Sequence, residues 1–79
     1  MLSILYIMKA RIVKNRVREI RSSLGMTQEE LASLIGVARQ SIISIERDRY
    51  LPNIETALLI SKSLKVSVDE LFWLEEDHQ

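Results

Sequence analysis

The apolar positions of this chain recur with a helical period through most of its length. Val13, Val17, Ile20 and Leu24 return every three or four residues, with Arg16, Arg18 and Glu19 elsewhere on the wheel. They predict an amphipathic helix ending near Gly25. A second helix opens at Thr27, where Glu30 completes the spacing of a capping box, and closes at Gly36. A third follows at once, with Ile42 and Ile45 on its apolar side. Pro52 helps end the loop from Asp48 to Asn53. Ile54, Ala57, Leu58, Ser61 and Leu64 then define a fourth helix, capped by Asn53. Ser67 and Glu70 form another capping box and start a last helix through Leu71, Phe72 and Trp73.

The first dozen residues follow a different rule. Leu2, Ile4, Tyr6, Met8, Ala10 and Ile12 are apolar at a period of two, the pattern of a strand. A lone strand leaves its backbone groups unpaired, and the helices offer none to pair with. The expected partner is the same segment of a second subunit, burying Ile4, Tyr6 and Met8. A helical extension lying on the core is an alternative, as is an incidental leader if translation starts at Met8. The chain thus divides into an arm (1–13), a helical domain (14–74) and an acidic tail (75–79).

Residues 27–46 carry the most chemistry. Two short helices joined at a glycine turn, the second with a polar first turn and an apolar back, form the plan of a DNA-binding helix-turn-helix. With Ile42, Ile45 and Glu46 inward, Arg39, Gln40, Ile43 and Ser44 face out. Arginine suits guanine and glutamine suits adenine, each by paired hydrogen bonds, and an isoleucine can meet a thymine methyl group. Thr27 and Gln28 sit at a helix N-terminus, which favours phosphate. Arg47 and Arg49 follow the third helix and extend that grip.

These residues bring a family into view. Arg16 to Arg21, Met26 to Ala32, Gly36-Val37, Ile42 to Glu46, Pro52-Asn53 and Leu64 to Phe72 occur in order and nearly without gaps. Over residues 14–74 the chain resembles the Xre-type helix-turn-helix domain of lambda-repressor-like and Cro-like regulators. The resemblance implies an all-α fold of five short helices, here with an extended N-terminal arm or short β-strand. It implies a sequence-specific transcriptional regulator that represses as a homodimer on a two-fold operator. It also gives Gln28 a phosphate contact and makes Arg21 and Glu46 a partly buried ion pair between the first and third helices. Three positions depart from the pattern. Ala38 stands where a Ser or Thr cap is usual, and Leu34 and Leu59 stand where polar residues are common.

Composition refines this picture. Formal net charge is zero, which by itself argues against DNA, but the charges are unevenly distributed. Residues 1–49 hold nine basic and five acidic side chains, and residues 50–79 hold two and six. The half with the helix-turn-helix is the basic one. With no cysteine, disulfides and thiolate metal sites are excluded, in keeping with a cytoplasmic location. Leu2 to Met8 is too short to span a bilayer. There is no nucleophile elbow, no phosphate-binding glycine loop and no metal-ligand spacing, and His78 stands alone in the tail. The expected partners are therefore double-stranded DNA and a second copy, with no enzyme activity, cofactor, small-molecule ligand or membrane implied. Dimer contacts are expected from the arm and from Leu71, Trp73 and Leu74. The competing reading is a protein-interaction module, such as an antitoxin-like partner, using the apolar surface. A steep salt dependence of DNA affinity separates the two.

Overall fold

The computed structural model describes residues 12–75. Its elements in chain order are β1 (Ile12–Asn15), α1 (Val17–Ser23), α2 (Gln28–Ile35), α3 (Arg39–Glu46), α4 (Ile54–Leu64), α5 (Val68–Leu71) and β2 (Phe72–Glu75). Five helices enclose the core, and the two strands pair antiparallel beside them.

Local chemistry accounts for most helix ends. Thr27 Oγ1 accepts from the Glu30 amide at 3.0 Å, while Glu30 Oε1 accepts from the Thr27 amide at 2.8 Å. Ser67 and Glu70 repeat the exchange at α5. There the Ser67 amide and hydroxyl both donate to the Glu70 carboxylate and hold its pKa below the ordinary range. Asn53 Oδ1 accepts from the Thr56 amide at 2.8 Å and caps α4. Gly36, at φ +76°, turns the chain out of α2 in a conformation that costs glycine little.

The core is built from one face of each helix. Val17, Leu31, Ala32, Ile35, Ile42, Ile45, Ile60, Leu64 and Leu71 are buried together, with Ile20, Met26, Val37, Val66 and Phe72 packed against them. On α4 the inward face is Ile60, Ser61 and Leu64, whereas Ile54 and Leu58 point outward, Ile54 being 78% exposed. Of the expected face, Ser61 and Leu64 are buried and Ala57 half-buried, while Ile60 takes the place expected of Ile54 and Leu58, because the apolar arc from Ile60 round to Leu58 is wider than the surface the neighbours cover.

The terminal segments depart from expectation most clearly. Val13 belongs to β1, not to the first helix, because Asn15 Oδ1 caps the Val17 amide at 3.0 Å and starts α1 there. The last helix stops at Leu71, and Phe72 to Glu75 are extended. The strand around Ile12 therefore does find a partner within its own chain. Ile12 pairs with Glu75, Val13 with Leu74, Lys14 with Trp73 and Asn15 with Phe72. β1 straddles the expected border between arm and domain. The arm residues Ile4, Tyr6 and Met8 lie outside the described residues, and no described helix is long and apolar enough to cross a membrane.

Candidate nucleic-acid interface

α2 and α3 meet at the Gly36 turn, and a single carboxylate binds three helices together beneath them. Glu46, at the end of α3, accepts from Arg21 of α1 through Nε at 2.7 Å and Nη2 at 3.2 Å. Its Oε1 also accepts from Gln28 Nε2 of α2 at 3.0 Å. Arg21 uses its remaining nitrogen, Nη1, to donate to the Met26 carbonyl at 2.7 Å. The side chains are 10% and 3% exposed, so this pair is shielded from water. The two-pronged contact fixes orientation as well as distance. It sets the relative placement of α1, α2 and α3, and therefore aims the outer face of α3.

That outer face begins with Arg39 and Gln40, both exposed in the first turn. Arg39 Nη2 donates to Gln28 Oε1 at 3.5 Å, so Gln28 bridges the buried Glu46 and the exposed Arg39. Ile43 and Ser44 are half-buried, not fully outward, and Ile42 and Ile45 are in the core. An open groove at the N-terminus of α2 is lined by Arg21, Thr27, Gln28, Glu29 and Arg39. Thr27 is exposed, and its hydroxyl is already engaged as a cap. Arg47 and Arg49 are exposed just beyond α3.

Ala38 caps α3 with backbone alone, at φ −73° and ψ 148°. A hydroxyl there would give an acceptor to amides at the exposed end of the helix. Ala38→Ser is therefore expected to stabilise the domain by about 1 kcal/mol. Urea unfolding measures this, and an unmoved midpoint would show that water already serves those amides equally well.

Of the residues expected at a dimer contact, the three near the C-terminus separate. Leu71 is completely buried inside its own protomer and offers no surface to a second copy. Trp73 is exposed, with the Arg16 guanidinium 4.7 Å from its ring centroid. Leu74 is exposed, and strand register puts it on the opposite face of the ribbon from Trp73. The exposed apolar residues expected on the helices include Leu34 and Leu59, and the structure adds Leu24, Tyr50, Leu51, Ile54 and Leu58.

Sequence reasoning missed a second polar junction, just beyond Glu46 at the C-terminal end of α3. Lys14 and Asn15 of β1 both reach Asp48, in the turn that follows the helix. Asn15 could have been read as a helix cap, but nothing local pairs it with a residue thirty-three positions away.

The helix-turn-helix family matches residues 17–71, from the first residue of α1 to the last of α5. The chain belongs to that family, in its lambda-repressor-like, Xre-type branch. YgzD of Bacillus subtilis, an HTH-type transcriptional regulator of uncharacterised role, is 39% identical over 66 residues, covering 84% of this chain and 100% of YgzD. The restriction-modification controller protein C.AhdI from Aeromonas hydrophila superposes with a TM-score of 0.66 at 31% identity, over 70% of this chain and 83% of its own. The P22 c2 repressor, in its complex with a synthetic operator, gives 0.66 at 37% identity, over 68% and 82%. The matched region coincides with the helices, and the two strands flank it. The helix-turn-helix domain is thus a transcriptional regulator's module, not an enzyme's.

Proposed function

We propose that this protein is a sequence-specific DNA-binding repressor acting as a homodimer on a two-fold operator. The observation that carries the reading is the exposed first turn of α3, held in place from below by the Glu46 hub. In this reading Arg39 and Gln40 enter the major groove and form paired hydrogen bonds to base edges. Ile43 and Ser44, deeper along the helix, line the contact. Thr27, Gln28, Arg47 and Arg49 bracket the helix and grip phosphates on either side. The operator complex of the P22 c2 repressor supports the DNA-binding part of the reading. The exposed Tyr50, Leu51, Ile54, Leu58 and Leu74 leave apolar area that a second copy could cover. The apolar alternation at Ile4, Tyr6 and Met8 would extend that contact.

Selection from random duplexes would supply the site. On that site Arg39→Ala and Gln40→Ala are each expected to cost about 1–3 kcal/mol and to relax the preference at one base pair. Losses on random duplex of the same size would remove the base-reading role. Sedimentation of the parent protein on and off DNA reads the stoichiometry directly.

A further inference from the structure

We propose that Asn15 and Asp48 are positioning residues for DNA readout: they latch the terminal β-ribbon to the C-terminal end of α3 and thereby hold the angle at which that helix meets the groove. The proposal rests on the reading of α3 as the recognition helix.

One side chain makes the connection. Asn15 Nδ2 donates to the Ile45 carbonyl at 3.0 Å and to Asp48 Oδ1 at 3.1 Å. Its Oδ1 accepts from the Val17 amide at 3.0 Å. Both amide hydrogens and the carbonyl of Asn15 are thereby used, on three different segments. Asp48 is prepared for this role by its backbone. It sits at φ 60°, the left-handed region that aspartate tolerates better than most residues. Its amide donates to the Ile45 carbonyl at 3.1 Å, and the Arg49 amide donates to the Ser44 carbonyl at 2.9 Å. Its second carboxylate oxygen accepts from Lys14 Nζ at 3.0 Å, a contact that holds the Lys14 pKa above its ordinary value.

The C-terminal end of α3 is therefore held on two sides. The Glu46 hub holds it towards α1 and α2, and the latch holds it towards the β-ribbon, together with the turn that carries Arg47 and Arg49 on either side of Asp48. Buried Ile42 and Ile45 seat the helix on the core, and the latch limits its tilt away from the ribbon, a tilt that bidentate base contacts tolerate poorly. On its β1 side the latch lies outside the matched helix-turn-helix region, and on its Asp48 side within it.

Asn15→Asp isolates the latch from the cap. Aspartate keeps an oxygen for the Val17 amide but has no donor for Ile45 or Asp48, and it faces Asp48 with a like charge. Asn15→Ala removes cap and latch together and serves as the comparison. The measurements are affinity for the selected duplex, affinity for random duplex at the same salt, and amide hydrogen exchange at residues 47–49, all well below the unfolding temperature. Asn15→Asp is expected to lower the ratio of specific to random affinity by about tenfold, as for one lost base contact, and to speed exchange at those amides. A parent protein that discriminates between duplexes and a variant with the same ratio would overturn the latch as a positioning device. A variant with unchanged exchange would overturn it as well. A parent that prefers no duplex defeats the proposed function instead, and exchange in the variant then still decides whether Asn15 holds the end of α3.

Discussion

Arg21→Ala is expected to destabilise the domain by roughly 3 kcal/mol, because it leaves the Glu46 carboxylate shielded from water with no cation beside it. The loss is compound. Glu46 loses two of its three hydrogen bonds, and the Met26 carbonyl loses its Nη1 donor. A domain of this size has only about 4–12 kcal/mol in total, so the variant should melt near its working temperature. Urea unfolding of the variant against its parent gives the number. Replacing both partners with apolar residues, as in Arg21→Met with Glu46→Leu, should recover much of the stability, since stranding the buried charge costs more than the attraction between the pair contributes. The double variant should nevertheless bind DNA less well, because Gln28 then loses its anchor. A single-variant loss below about 1 kcal/mol would mean that water reaches Glu46 once the arginine is gone.

Leu71→Ala should be comparably damaging, at about 3 kcal/mol, for a different reason. Leu71 is fully buried among the residues of its own protomer, between the end of α5 and the start of β2. Truncation opens a cavity there and also loosens the point where the Leu71 carbonyl accepts from the Arg16 amide at 3.1 Å. Because these contacts are internal, the difference from the parent should not change when protein concentration is varied. A difference that grows on dilution would instead place Leu71 at a contact between copies. Leu74→Ala, at an exposed position on the ribbon, should shift stability by no more than about 0.5 kcal/mol.

Both variants strike contacts between residues far apart in the chain. Thr27 with Glu30, Ser67 with Glu70, Asn53 and Gly36 act within four residues of themselves, so their helix ends were legible in the sequence. The same holds for the outward Arg39 and Gln40, whose side of the helix is fixed by Ile42 and Ile45. The Arg21–Glu46 pair came from the family resemblance, since no local rule joins residues on different helices. Other features had no local cause. Whether Val13 continues a helix or enters a strand depends on Phe72 to Glu75 lying alongside it, and an apolar run of four residues suits either state. Which part of the broad apolar arc of α4 is buried was chosen by its neighbours, so Ile60 went inward and Ile54 and Leu58 outward. Lys14, Asn15 and Asp48 meet only because the chain returns. The sequence by itself determined that five helices form, the caps of α2, α4 and α5, and the polar face of α3, since these depend on backbone geometry and near neighbours. The tertiary structure alone decided the ribbon, the inward position of Leu71 and the second hold on α3, since each needs groups far apart in the chain to be brought together before its hydrogen bonds or buried area can count.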